Sequence, residues 1–193
     1  MIKNVFYWVR YLPSKILNLL TIKLRNINHG DNFIIRGLIF IRGKGKILIG
    51  NNVTINSCIE ANPIGGDTRT ILFIRADAIL RIGNNVGISN STFYSESAIT
   101  VEDDVFIGNS CKIYDSNFHS IEYVERKLHK ENVIAKPVYI KKDAFIGAHT
   151  IILKGVIIGE KSIVGAGSVV TKSIPDGEVW GGNPARFIKK IED

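Results

Sequence analysis

Four histidines and two cysteines carry most of the reactive side-chain chemistry of this 193-residue chain. His119 stands in the string Asp115-Ser116-Asn117-Phe118-His119-Ser120, inside a polar stretch and four residues after an acid. An imidazole accepts a proton near neutral pH, and a carboxylate can fix its tautomer. Asp115 is open to two roles, orienting the His119 ring or hydrogen-bonding its own turn. His29 and His129, the latter inside the Arg126–Glu131 charge run, read as solvated. His149 follows Ile146-Gly147-Ala148 at an outward-facing position, where it could line a cleft. Cys58 and Cys111 form neither a disulfide framework nor a metal pattern, so Cys111 reads as a buried packing residue and a reducing cytoplasm as the setting.

The elements that must hold these groups announce themselves by period. Branched aliphatics stand six apart at Ile140, Ile146, Ile152, Ile158, Val164 and Val170, with Ala144, Thr150, Val156, Ser162 and Ser168 four places after the first five. Six matches neither a helical face nor simple strand alternation. It matches a short strand plus a corner, the aliphatic pointing inward and the small residue filling the bend. Upstream the beat recurs in pieces, as in Ile49 with Val53, Ile55 with Ile59, Ile82 with Val86, and Ile107 with Cys111. Three hexads close one triangular coil, giving room for roughly five or six stacked coils of a parallel β-helix. The beat fails between Ile113 and Ile140, 27 residues apart, so residues 114–137 read as a loop extruded from a coil.

The strings "IGNNVGIS", "VFIGNSCKI", "AFIGAHTIILKGVIIGEKSIVGAGSVVTKSIP" and "GGNPARFIKKI" resemble the hexapeptide-repeat acyltransferases, in particular the galactoside, maltose and xenobiotic O-acetyltransferase group. The resemblance covers roughly residues 45–191. It implies an all-β fold, a left-handed parallel β-helix, for an acetyltransferase domain (31–193); a short helical N-terminal segment (1–30) and a C-terminal helix are expected beside it. It also implies that His119 is a general base, with Ser120 where the group usually has proline. Such a base, taking a proton from a hydroxyl as the oxygen attacks a thioester, contributes roughly 10²- to 10⁴-fold. By the same resemblance acetyl-coenzyme A is the cosubstrate. Gly147, Ala148, Gly165, Ala166, Thr171, Lys172, Asn183, Pro184 and Arg186 are then its expected contacts, the small residues offering bare backbone and the cations meeting phosphate. A backbone amide near Gly147 or Ala148 is the expected oxyanion donor. Asn90 and Glu96 are expected at the acceptor. A homotrimer with sites between subunits is the implied assembly.

The N-terminal segment has its own character. Residues 1–30 hold Lys3, Arg10, Lys15, Lys23 and Arg25 and no acid, together with apolar residues spaced three and four apart. Pro13-Ser14 predicts a break between two helices. The segment either caps the open end of the β-helix or lies, through residues 1–28, on an anionic membrane surface at the inner face. No stretch is apolar for long enough to span a bilayer, no signal-peptide cleavage pattern follows, and no nucleic-acid partner is expected.

The combined expectation is an acetyl-coenzyme A-dependent O-acetyltransferase acting on a carbohydrate hydroxyl, such as a cell-surface polysaccharide or its precursor, by direct transfer. Amino-sugar N-acetylation and a non-catalytic β-helix are the alternatives. Zinc-dependent carbonic anhydrases of this fold need three histidines, two of them close together, whereas 119, 129 and 149 are ten and twenty apart, so no metal is expected.

Overall fold

The computed structural model describes residues 2–64, 68–128 and 132–192. Helix α1 (Ile2–Leu24) leads into coils of three short strands each. The first coil is β1 (Asn28–His29), β2 (Ile34–Gly37) and β3 (Phe40–Arg42); the second is β4 (Lys46–Ile49), β5 (Thr54–Ser57) and β6 (Ile71–Ile74). The third holds β7 (Ile79–Ile82), β8 (Gly87–Ser89) and β9 (Thr92–Ser95), and the fourth β10 (Ala98–Val101), β11 (Phe106–Asn109) and β12 (Lys112–Tyr114). A loop with a short helix, α2 (Tyr123–Leu128), intervenes before β13 (Val138–Ile140), β14 (Phe145–Ile146) and β15 (Ile151–Ile152). The sixth coil is β16 (Ile157–Ile158), β17 (Ile163–Val164) and β18 (Val169–Val170), followed by β19 (Glu178–Gly181) and β20 (Arg186–Lys190).

Every third strand stacks on its equivalent. The result is three parallel sheets, called A, B and C after β1, β2 and β3, forming the walls of a left-handed parallel β-helix. The inward hexad residues Ile140, Ile146, Ile152, Ile158, Val164 and Val170 are all fully buried, and so are Ala144, Thr150, Ser162 and Ser168 at the bends. Removing one such side chain leaves a void that rigid coils cannot collapse into. Ile152→Ala should therefore cost about 2–5 kcal/mol, read as a lowered denaturant midpoint with unchanged slope.

The bend from sheet A to sheet B has its own chemistry. Asn32, Asn52, Asn85, Asp104, Asp143 and Lys161 all take left-handed backbone angles there, which Asn and Asp tolerate best. Their side chains form a ladder: Asn32 Nδ2 donates to Asn52 Oδ1 (2.9 Å), Asn52 Nδ2 to Asn85 Oδ1 (3.0 Å), and Asn85 Nδ2 to Asp104 Oδ1 (2.9 Å). At Gly43 the turn is tighter still. Its φ is +92°, and an added Cβ would strike the Ile74 carbonyl oxygen.

Three expectations need correction. Helix α1 runs unbroken through Pro13, whose ring lies on the exposed side. The C-terminal segment is not a helix: β19 extends sheet B beside β17, and β20 folds back antiparallel to it, as the alternating Arg186-Phe187-Ile188-Lys189-Lys190 allows. The Ile55–Ile59 step is no repeat, because the chain leaves the coil after Ser57 and Ile59 is exposed. The polar C-terminal turn is partly a plug, with Ala185 buried against the last coil through its amide bond to Val169 O (2.8 Å).

Helix α1 touches the first coil along one narrow line. Asn18, 4% exposed, donates to Gly37 O (2.8 Å) and accepts from Ile39 N (3.3 Å), so one side chain satisfies two backbone groups at the open end. Ile22 packs on the core beside it.

Candidate active site

The extruded loop leaves the corner between sheets C and A on a short antiparallel base. Ser116 bridges Ala135, Asn117 N donates to Ile134 O (3.3 Å), and Lys136 N donates to Asp115 O (2.8 Å). Phe118 takes a left-handed turn conformation (φ 64°), which projects the following residue, and His119 is exposed at the loop root. Its amide donates to Asn117 O (2.7 Å).

An aromatic floor lies beside it, built by the period of sheet C. Phe73, Tyr94 and Tyr114 occupy the same outward register on β6, β9 and β12. Phe118 folds back onto them, with ring centroids 4.5 Å from Tyr94 and 5.0 Å from Tyr114. Glu96 closes the arrangement. It accepts from Tyr94 OH (2.6 Å) and Ser116 Oγ (2.8 Å), tying the loop root to the wall. Burial, and then the bond to Glu96, push the Tyr94 phenol up to about 12, so it stays a donor at neutral pH. A groove of about 560 Å³, lined by Lys44, Phe73, Arg75, Asp77, Glu96 and Val133, opens alongside.

Asp115 belongs to the wall and not to the imidazole. Its fully buried carboxylate accepts from Ser95 Oγ (2.7 Å), Glu96 N (2.8 Å) and Ser97 N (2.8 Å), which occupies both oxygens with the preceding corner. Neither of the two roles open to it is what the geometry shows: the carboxylate holds the corner of the preceding coil, not its own turn and not the His119 ring. Asn90 also departs from expectation. It is completely buried at the other end of sheet C, at the corner with sheet B, with its amide bonded to Asn56 O (2.8 Å). It therefore does not face the groove, whereas Glu96 does.

The expected cofactor contacts divide into three places. Gly147 is buried and its amide is spent on Val164 O (2.8 Å), so it is neither ligand-facing nor an available oxyanion donor. A Cβ there would sit 2.5 Å from Ala166 N, so glycine is required for coils to stack and not for a ligand to approach. Gly147→Ala should lower stability by roughly 1–3 kcal/mol, measured by chemical denaturation. Ala148 and Ala166 lie at the sheet B to C corner with His149, which is exposed in a left-handed turn and bonds Asn109 O (2.7 Å) through its amide. Gly165 bonds Trp180 O (2.7 Å), and beyond it Gly167 and Gly182 are exposed, Gly167 with nothing within 4 Å of an added Cβ. Thr171 and Lys172 are exposed after β18, and Asn183, Pro184 and Arg186 are exposed around the β19–β20 turn. That turn rides on the last coil, with Val169 N donating to Gly182 O (2.9 Å). Bare backbone flanked by Lys172 and Arg186 suits an extended ligand ending in phosphate.

Cys111 is fully enclosed, and burial pushes its thiol up to about 11. A neutral, inaccessible thiol is a poor nucleophile. The folded protein should leave Cys111 unmodified by iodoacetamide at pH 8 while Cys58, half-buried, reacts; mass spectrometry reads the site. Among the described residues no three His, Cys, Asp or Glu side chains gather as a metal site, and His129 lies outside those residues.

Fold and repeat now define a class, and known proteins agree with it. The family model described as bacterial transferase hexapeptide (six repeats) matches residues 137–172. A hexapeptide-repeat acetyltransferase of Vibrio cholerae, solved with acetyl-coenzyme A, superposes with a TM-score of 0.54 at 25% identity, covering 84% of this chain and 73% of that one. A variant of AntD, an N-acyltransferase from Bacillus cereus solved with dTDP-4-amino-4,6-dideoxyglucose and coenzyme A, gives 0.65 at 28% identity over 85% of this chain and 86% of that one. Galactoside acetyltransferase in complex with coenzyme A gives 0.54 at 25% identity, over 81% and 67%. Among curated proteins, gamma carbonic anhydrase 2 of Arabidopsis thaliana mitochondria is 46% identical over 94 residues, 49% of this chain. That match spans only about a fifth of the curated relative (20%). In its repeat and its fold the chain is similar to the hexapeptide-repeat acyltransferases.

Proposed function

We propose that the protein is an acetyl-coenzyme A-dependent O-acetyltransferase acting on a carbohydrate hydroxyl. The observation that carries this reading is His119, exposed at the root of an extruded loop and directly following Phe118, which packs on the aromatic floor. Coenzyme A supplies the acetyl group as a thioester. Ala148, Ala166, Gly167 and Gly182 offer it a wall with no side chain larger than a methyl, and Lys172 and Arg186 offer its phosphates charge. His119 accepts the hydroxyl proton as the acceptor oxygen bonds to the carbonyl carbon and the carbon–sulfur bond breaks; the proton then passes to the departing thiolate. Phe73, Phe118 and the Tyr rings give a sugar ring an apolar face to stack on. Glu96 fixes the loop root and is placed to accept from a sugar hydroxyl.

Within one chain His119 stands at the sheet C to A corner, whereas Ala148 and Ala166 stand at the B to C corner. A homotrimer that sets one subunit's loop against a neighbour's coils would unite them, and this is the assembly the reading requires. Its setting is the cytoplasm, and the basic N-terminal end favours a glycan precursor held at a membrane as acceptor.

The AntD likeness supports a second reading, acetylation of an amino sugar by the same parts. Initial rates on matched sugars bearing either a hydroxyl or an amine at one carbon separate the two. The O-acetyl reading predicts turnover of the hydroxyl-only sugar, and activity confined to the amine would overturn it.

A further inference from the structure

The basic charge of this chain is concentrated at one end. Residues 1–50 hold nine Lys and Arg and one acid, Asp31, whereas residues 51–193 hold sixteen basic and seventeen acidic residues. The whole excess therefore belongs to helix α1, the first coil and the start of the second at β4. Exposed among them are Lys15, Lys23, Arg36, Arg42, Lys44 and Lys46.

The same end presents apolar surface that the fold does not use. Asn18 and Ile22 mark the side of α1 that meets the first coil. On a helix, positions 12, 16, 20 and 24 fall on the opposite side. There Leu12 is 51% exposed, Ile16 50%, Leu20 51% and Leu24 84%, and Leu19 at 63% widens the strip. A helix recruited only to cap the coil would turn these residues toward it, where their burial would stabilise the contact. Here the polar Asn18 faces the coil and the leucines face away.

From this geometry we infer that α1 and the first coil form a docking surface for an anionic lipid bilayer, with the helix lying in the interface and its leucine strip in the acyl boundary. Charge selects this occupant. A second copy of the chain would bring the same nine-to-one basic excess face to face with itself, while anionic headgroups neutralise it. The helix lies on the bilayer and does not cross it, because no helix of the described residues is long and apolar enough to span. Arg25 braces the helix end by donating to Ile41 O (3.2 Å) and Gly43 O, so the strip is held in fixed orientation to the β-helix. This inference rests on the N-terminal end alone and stands or falls independently of the acetyl-transfer reading.

Full-length protein mixed with phosphatidylcholine vesicles, with and without roughly a third of phosphatidylglycerol, and separated by flotation provides the test. Wild type is expected to float at least about tenfold more with anionic vesicles, and to be released as salt is raised. Lys15→Gln with Lys23→Gln should weaken binding by about fivefold per charge removed. Ile16→Asp with Leu20→Asp should abolish flotation while leaving the melting temperature unchanged, since both side chains are already exposed. Equal flotation with neutral and anionic vesicles, or none with either, would overturn the inference. So would a change of oligomeric mass on Ile16→Asp with Leu20→Asp in the absence of vesicles, which would assign the strip to a second copy.

Discussion

Replacing His119 by alanine is expected to lower kcat for acetyl transfer by about 10²- to 10⁴-fold, the range a positioned proton acceptor supplies. The side chain is exposed at the loop root, so the melting temperature should hold within a degree or two. Affinity for coenzyme A should also be unchanged, because the surface offered to it lies in the last two coils. This combination separates a chemical role from a structural one. A modest loss shared between kcat and KM would mean that the ring takes no part in the proton transfer.

Asp115→Ala carries the second large effect, and it falls on stability. The substitution strips three hydrogen bonds from a fully buried carboxylate and leaves Ser95 Oγ and the amides of Glu96 and Ser97 without their acceptor. The expected cost is about 3–5 kcal/mol, a fall in melting temperature of roughly 10 °C for a chain of this size. Activity should fall with it, since Glu96 and Ser116 hold the loop root and both neighbour this corner. Asp115→Asn is the discriminating variant. One oxygen still accepts, so it should lose part of the stability and keep kcat within a few-fold. A large kcat loss with an unshifted melting temperature would return Asp115 to the orienting role.

The β-helix was legible because its interior tolerates little else: a triangular cross-section one side chain deep takes branched aliphatics at each inward position. Ile140, Ile146, Ile152 and Ile158 fill it without exception. The loop was legible by default, since 27 residues cannot be divided into hexads. Three features escaped for physical reasons. Resemblance places Asn90 at a corner but does not say which way its side chain turns, so it read as an acceptor contact when it is enclosed. A run of cations at the C-terminus is compatible with helix or edge strand, and pairing of β20 with β19, a tertiary effect, decides it. Pro13 predicts a break only where its missing amide is missed, and α1 carries it on an open face. The paired polar residues Asn51-Asn52, Asn84-Asn85 and Asp103-Asp104 were a readable signal for the sheet A to B corner, and their ladder shows why they recur.

Acetyl-coenzyme A turnover followed by free thiol, on metal-free protein and with a panel of hydroxyl-only sugars, tests the central claim most directly. Direct transfer predicts one thiol released per acceptor acetylated, no release without acceptor, no acetyl group left on the protein, and loss of the signal in His119→Ala. Absence of release with every acceptor, accompanied by bound zinc and hydration of carbon dioxide, would contradict it and move the protein toward the chemistry named for its carbonic anhydrase relative.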